Sequence, residues 1–170
     1  MDLDDALAEL VAQSGDRLLR VAYQLTHDRA AAQDLVQDAL LRVYRSIRRR
    51  GVPPGDWYAY LRRAVINEYL SARRLRSSGE VVTDRMPEQP VPSSPEDQIA
   101  DRAQLWAALG ALSARQRAAL VLRYYEDLPD HQIAALLGCR EASVRSLASR
   151  GLTVLRQLAM PAGIGEDDRR

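Results

Sequence analysis

The chain has 170 residues, a formal net charge of +1 and an apolar fraction of 46%, which suits one ordinary domain or two small ones. Aromatic residues are few and Phe is absent, so Leu, Ala and Val must fill the core, and this composition favours helices over sheets. One cysteine, Cys139, and two histidines argue against a disulfide framework and a zinc site. No segment approaches the ~20 apolar residues that cross a bilayer, and no leader opens the chain. We therefore expect a cytoplasmic protein with no membrane insertion, no cofactor and no metal.

Charge is distributed unevenly along the chain. Every basic residue is arginine, and ten arginines lie between Arg42 and Arg76 against two acids, Asp56 and Glu68. The first residues and the last residues are locally acidic. A basic block in a nearly neutral protein favours a local anion-binding surface, with a solvated charged face as the alternative.

Apolar spacing predicts three helices in the first half. They cover residues 3–26, about 30–48 with Asp28 as the N-cap, and about 56–76 after the Gly51–Gly55 break. We expect these helices to close a small domain over residues 3–76.

The second half begins with a proline-rich segment, residues 77–98, that predicts an extended, poorly ordered linker. Helical periodicity then resumes, and Ser113 with Gln116 has the pattern of a capping box. We expect a second domain over residues 99–160 and a frayed tail over 161–170. No strand pattern occurs, so the predicted fold is all-α, with two small helical domains joined by a flexible linker.

Residues 128–155, LPDHQIAALLGCREASVRSLASRGLTVL, are typical of a helix-turn-helix. Gly138 supplies the permissive backbone between the two helices. Apolar spacing turns Arg145, Ser146, Ser149 and Arg150 outward, where arginine can contact guanine or phosphate and serine can donate to phosphate. An ordinary helical hairpin with a solvated face is the alternative.

Two further surfaces stand out. The third helix combines Tyr58, Tyr60 and Tyr69 with several arginines, a set that can stack on unstacked bases or equally cover a helical bundle. The segment Asp34–Asp38 presents two acids and an amide on one face. The pattern lacks metal-ligand geometry, and no neighbouring group is visible that could separate the pKa values of two carboxylates, as a catalytic pair requires. A protein-docking face is its favoured interpretation, and a solvated face is the alternative.

Three segments, in order and at matching spacing, resemble an extracytoplasmic-function (ECF) sigma factor of the sigma-70 superfamily. They are AAAQDLVQDALLRVYR, WYAYLRRAVINEYLSARR and LSARQRAALVLRYYEDLPDHQIAALLGCREASVRSLASRGLTVLRQL. The resemblance covers residues 15–158, and VINEYLSARR and LLGCREASVRSLASRG look like the actinobacterial SigE-like subgroup.

The resemblance implies a non-catalytic initiation subunit of RNA polymerase, with three sets of contact residues. The implied partners are RNA polymerase core (β′ clamp helices and β flap) and promoter DNA, with an anti-sigma factor as a further candidate. Residues implied to bind core polymerase are Asp34, Gln37, Asp38, Leu41, Arg42 and Arg45. Residues implied to bind the −10 element are Tyr60, Arg62, Arg63, Asn67, Arg73 and Arg74, with a flipped base against the loop 49–56. Residues implied to read the −35 element are Arg140, Glu141, Ser143, Arg145, Ser146, Ser149 and Arg150.

The sequence departs from this family pattern at the helix-turn-helix. Pro129 stands where Ser or Thr usually caps the first helix, so Asp130 is expected to cap instead. Leu147 replaces a polar or basic residue, and Arg140 and Glu141 replace small or apolar ones. An unusual −35 sequence is therefore expected.

Two other function classes compete with a sigma factor. A helix-turn-helix repressor would need a dimer face and a palindromic operator, but it has no use for the docking helix or the basic third helix. A pure interaction protein would keep its activity after charge reversal at Arg145 and Arg150. An enzyme is the weakest alternative, because no nucleophile–base pair or phosphate loop stands out. The free protein is expected to bind duplex DNA weakly, because its domains are tethered flexibly.

Overall fold

The computed structural model describes residues 3–53, 55–77 and 107–159. Six α-helices have defined bounds: α1 (Leu3–Thr26), α2 (Arg29–Arg50), α3 (Trp57–Ser77), α4 (Ala114–Leu120), α5 (Asp130–Leu137) and α6 (Glu141–Ala159). Residues 107–111 are also helical, and α4 continues directly into a π-helical turn, Val121–Tyr125. The described ranges contain no strand, so the predicted all-α fold is confirmed. The predicted linker, apart from residue 77, and the predicted tail lie outside these ranges.

Local hydrogen bonds set the ends of several helices. The Asp28 carboxylate accepts from the Ala31 amide at 3.0 Å and begins α2, as the sequence predicted. Ser113 and Gln116 form the predicted reciprocal capping box at the start of α4, with bonds of 3.1 and 3.0 Å. Gly138 ends α5 in the left-handed conformation with φ 62°, again as predicted.

The start of α5 differs from expectation. Pro129 occupies the N-cap position and provides no side-chain hydrogen bond, but Asp130 does not take over the capping role. Asp130 is the first helical residue, and its Oδ2 accepts from Arg123 Nη2 at 3.3 Å. The prediction that Asp130 caps the helix was therefore wrong. Its carboxylate still stabilises the positive end of the helix dipole, because it lies in the first turn.

The N-terminal half, α1–α3, is a three-helix bundle. Leu18, Leu25, Leu61 and Ile66 are among its fully buried side chains. Leu18 and Leu25 lie two helical turns apart and therefore share the inward apolar stripe of α1 on which the sequence prediction rested. Burying such residues is the main stabilising contribution to a small bundle.

The C-terminal half, residues 107–159, packs directly against this bundle. One connected cluster of buried apolar side chains includes residues of both halves, among them Leu25, Ile66, Leu122 and Ile133. Buried Arg117 of α4 donates from Nη1 to the carbonyl oxygen of Leu25, near the C-terminal end of α1, at 2.9 Å. A cation is favourable there because the last carbonyls of a helix carry partial negative charge. The sequence did not predict this contact between the halves.

Gly151 permits the close approach of α6 to α4. A Cβ atom at this position would lie 2.9 Å from Leu120 Cδ1 and 3.4 Å from its Cγ. We predict that Gly151→Leu destabilises the protein by about 1–3 kcal/mol through overpacking, and lowers the midpoint of thermal unfolding. Thr153→Leu, at an exposed position of the same helix, is the matched control. Equal midpoints for the two variants would contradict close packing at Gly151.

His27, between α1 and α2, gives the fold a pH dependence. Burial and the nearby positive charge of Arg117 lower the pKa of His27 from 6.5 to about 4. Between pH 6.5 and 4 the unfolded chain therefore binds a proton that the folded chain excludes, so stability falls as pH decreases through this window.

We predict that His27→Asn reduces this acid sensitivity. Asn tolerates the positive φ of 52° at this position and carries no titratable group. The measurement is the urea midpoint at pH 7 and pH 5 for both proteins. A loss of midpoint as large in the variant as in the wild type would contradict the role of His27.

Candidate nucleic-acid interface

Helices α5 and α6 are joined by the short turn 138–140. The Cys139 amide stabilises this turn by donating a hydrogen bond to the Ala134 carbonyl oxygen at 3.0 Å. The Arg140 carbonyl oxygen accepts from the Ser143 and Val144 amides, which starts α6. Buried Ile133 and Val144 pack the two helices together. This is the two-helix geometry in which the second helix can lie in a DNA groove.

The outer face of α6 and Arg140, the last residue of the preceding turn, make up the set that the sequence assigned to DNA. Six of the seven are exposed and Ser146 is half-buried. The exposed residues are Arg140, Glu141, Ser143, Arg145, Ser149 and Arg150. Arg145 Nη1 lies 3.9 Å from Asp130 Oδ2, with 58% of its side chain exposed. The guanidinium is therefore held at the surface, where it can still reach a base or a phosphate.

A groove of about 460 Å³ runs beside this face. Its lining includes Ser143, Ser146 and Arg150 from α6, and also Arg115 from α4. Arg115 is exposed and donates from Nη2 to the Leu137 carbonyl oxygen at 2.9 Å. Sequence reasoning missed Arg115, because it lies before the helix-turn-helix and only the packing of α4 brings it beside α6.

The residues that the sequence assigned to the −10 element do not share one exposed face. Arg63, Asn67 and Arg74 are exposed, whereas Tyr60 and Arg73 are half-buried. Arg63 Nη2 donates to the carbonyl oxygen of Ala135 in α5, at 3.3 Å. Thus α3 contacts the helix-turn-helix itself.

Arg62 is the clearest exception among these residues. Only 8% of Arg62 is exposed, and its Nη1 lies 2.8 Å from Glu126 Oε2. Glu126 follows the π-helical turn of the C-terminal half. In this arrangement Arg62 pairs with a carboxylate of the other half and is closed to DNA.

Tyr58 and Tyr69, for which base stacking and bundle cover were equal alternatives, both make contacts within the protein. Tyr69 is 3% exposed, and burial raises the pKa of its phenol. Tyr58 donates its hydroxyl to Glu126 Oε1 at 3.0 Å, and burial together with the Glu126 charge raises the pKa of Tyr58. The Tyr69 ring is therefore closed to a nucleic acid, and the half-buried Tyr58 ring is partly covered by the Arg17 guanidinium.

Arg17, Tyr58, Arg62 and Glu126 together form what we call the Glu126 cluster. Arg17 Nη2 lies 3.4 Å from Glu126 Oε2, and the Arg17 guanidinium carbon lies 3.9 Å from the centre of the Tyr58 ring. Glu126 is the shared acceptor, with 2% of its side chain exposed. Three groups of the N-terminal half thus converge on one carboxylate of the C-terminal half.

The face of α2 that the sequence assigned to polymerase docking is open. All six residues are exposed: Asp34, Gln37, Asp38, Leu41, Arg42 and Arg45. Leu41 is 52% exposed and adds an apolar side chain to this charged helix face. Arg42 Nε lies 2.8 Å from Glu68 Oε2 and joins this face to α3.

Within the described ranges, no group of three or more His, Cys, Asp or Glu side chains is arranged to hold a metal ion. None of the helices in these ranges has the length and apolar character needed to cross a membrane.

Two family models match the chain: Sigma-70 region 2 over residues 10–78, and Sigma-70, region 4 over residues 102–155. The RNA polymerase sigma-E factor of Streptomyces coelicolor is 39% identical over 158 residues, covering 88% of this chain and 83% of that protein. The ECF RNA polymerase sigma factor SigL of Mycobacterium tuberculosis is 33% identical over 151 residues, covering 86% and 85%.

Solved structures support the fold. The sigma factor RpoE from Bartonella quintana, solved in complex with the anti-sigma factor NepR, superposes with a TM-score of 0.63. It is 24% identical and covers 89% of this chain and 94% of its own. The two family models and the two relatives confirm the resemblance seen in the sequence, and this chain belongs to the extracytoplasmic-function group of sigma-70 RNA polymerase sigma factors, the subunits that direct polymerase to specific promoters.

Proposed function

We propose that this protein works through three separate surfaces. The exposed face of α2 binds the β′ clamp helices of RNA polymerase core, the outward face of α3 binds the opened −10 element, and α6 reads the −35 element. The observation that carries the proposal is the pairing, on one chain, of a helix-turn-helix with a solvent-exposed docking face on α2. A helix-turn-helix alone is common to many regulators, but a regulator that binds DNA by itself has no need of the second surface.

The −35 contact depends on the polar edge of α6. Arg150 and Arg145 can contact guanine or phosphate, and Ser149 can donate to a phosphate oxygen. Arg115 is added to this set, because it lines the same groove as Arg150. Leu147 is half-buried against the core cluster, so we assign it to packing and not to base reading.

The −10 contact depends on α3. Asn67 and Arg63 are exposed and lie one helical turn apart, so they can approach one strand together. Opening the duplex costs a few kcal/mol per unstacked base, which contacts to the freed base and strand can offset. Arg62 joins this set only if its contact with Glu126 is broken.

The remaining assignments follow from the sigma role. The chain contributes no catalytic group, because polymerase performs the chemistry, and it acts in the cytoplasm, where bacterial polymerase transcribes. An anti-sigma factor is a further proposed partner, since the similar RpoE was solved bound to one.

We predict that Arg145→Glu together with Arg150→Glu abolishes promoter-specific transcripts. Loss of a direct base or phosphate contact costs about 1–3 kcal/mol per arginine, and the added acids repel phosphate. The measurement is in vitro transcription with purified core polymerase on fragmented GC-rich genomic DNA. Arg156→Glu, an exposed arginine further along α6, is the control and is expected to retain transcription. Full activity of the double variant would contradict −35 reading by α6.

We also predict that Leu41→Glu weakens core binding by at least about tenfold, because a charge would replace an apolar contact at the centre of an interface. Leu75→Glu is the matched control, since Leu75 is 53% exposed on α3. Binding to fluorescently labelled core polymerase measures the effect. If both variants bind core equally well, α2 is not the docking helix.

DNA footprinting tests the competing repressor function. If footprints appear on palindromic DNA without core, the repressor function is favoured instead.

A further inference from the structure

The two DNA-facing surfaces cannot serve one promoter in the arrangement described above. Elements about 25 base pairs apart are separated by about 85 Å at 3.4 Å per base pair. A compact chain of this size has a radius of gyration of about 15 Å, which is too small to span that distance. Arg63 of α3 is hydrogen-bonded to Ala135 of the helix-turn-helix, so the surfaces adjoin. We call this packing of the two halves the closed arrangement.

The closed arrangement depends on an unusual buried charge. Glu126 is almost fully buried, yet it belongs to neither of the two helices that would contact DNA. Its position is set by the π-helical turn, where the Glu126 amide donates to the Val121 carbonyl oxygen at 3.1 Å. π-Helical turns that interrupt an α-helix occur frequently at functional sites.

The partners of Glu126 are groups that could otherwise receive a phosphate. Arg62 Nη1 and Arg17 Nη2 both contact Glu126 Oε2, and the Tyr58 hydroxyl donates to Glu126 Oε1. Arginine pairs with carboxylate and phosphate through the same planar donor geometry. The Glu126 carboxylate thus engages donors that could equally hold a phosphate.

We propose that Glu126 is an internal substitute for promoter phosphate, which keeps the α3 surface of the free protein closed until polymerase and DNA separate the two halves. The proposal rests on the DNA-binding role assigned to α3 under the proposed function. Opening exposes Arg62 and transfers it from Glu126 to the nucleic acid. Before opening, the free protein therefore binds single-stranded DNA weakly. The cause is this specific charge contact, and not a flexible connection between the halves.

Replacing the carboxylate should shift this balance. Removing one partner of a buried charge pair is costly, because the other charge stays desolvated without compensation. In the open arrangement the buried Arg62 regains water, so Glu126→Gln disfavours the closed arrangement selectively. The change keeps the size of the side chain and its hydrogen-bonding oxygen.

The experiment uses the full chain and two measurements. Hydrogen exchange of α3 and of residues 121–128 reports opening, and fluorescence anisotropy with a labelled random-sequence single-stranded DNA reports access to α3. We expect Glu126→Gln to increase exchange in both segments and to bind this DNA at least about tenfold more tightly. Asp127→Asn is the matched control, because it removes the same charge from the adjacent, exposed residue and Asn tolerates its φ of 52°.

A second variant keeps the test decisive if Glu126→Gln fails to fold. Tyr58→Phe removes only the hydroxyl that donates to Glu126 and should produce smaller changes in the same direction. Exchange equal to wild type in both variants would overturn the proposal. Increased exchange without tighter DNA binding would support the closing role of Glu126 and contradict the DNA-binding role of α3, so the two failures are distinguishable.

Discussion

A carboxylate buried between two helical units organises this molecule. Glu126 is attached to the C-terminal half, but its three donors, Arg17, Tyr58 and Arg62, belong to the N-terminal half. The reverse contact is made by Arg117, which enters the N-terminal half and donates to the Leu25 carbonyl oxygen. Buried ions need such partners, because desolvation otherwise exceeds their attraction. Each half therefore supplies hydrogen-bond partners to polar groups of the other half, beside an apolar cluster that both halves share.

This constraint connects the fold to the family role. Under the proposed function the two halves contact promoter elements that lie far apart, which requires the halves to separate during initiation. The polar contacts beside the shared apolar cluster suit that requirement better than a purely apolar interface would, since water and phosphate can replace them. The α2 face proposed for docking lies outside the contact between the halves, so it is exposed before any separation occurs.

Much of the local structure could be predicted from the sequence. Asp28, the Ser113–Gln116 capping box and Gly138 mark helix ends because their effects act within three or four residues, and apolar periodicity located the helices. The α2 face was likewise readable, since an amphipathic helix must turn its polar side outward. Asp130 was misassigned because Pro129 can begin a helix without a side-chain cap.

The contact between the halves could not be predicted in the same way. Arg62 and Glu126 are 64 residues apart, and a charged residue in a periodic pattern is normally assigned to solvent. Base stacking and bundle cover both stayed open for Tyr58 and Tyr69, because nothing in their spacing distinguishes a covered tyrosine from an exposed one. Arg115 was missed because its position beside α6 depends on tertiary packing.

The most direct test of this account is the separation of the two halves in the free and working states. Donor and acceptor dyes at Ala12→Cys and Thr153→Cys, both exposed positions, in a Cys139→Ser background, would report it by energy transfer. The account predicts high transfer in the free protein and near loss of transfer with core polymerase and promoter DNA, as the halves move toward a separation of about 85 Å. Unchanged transfer in a complex that initiates transcription would contradict it.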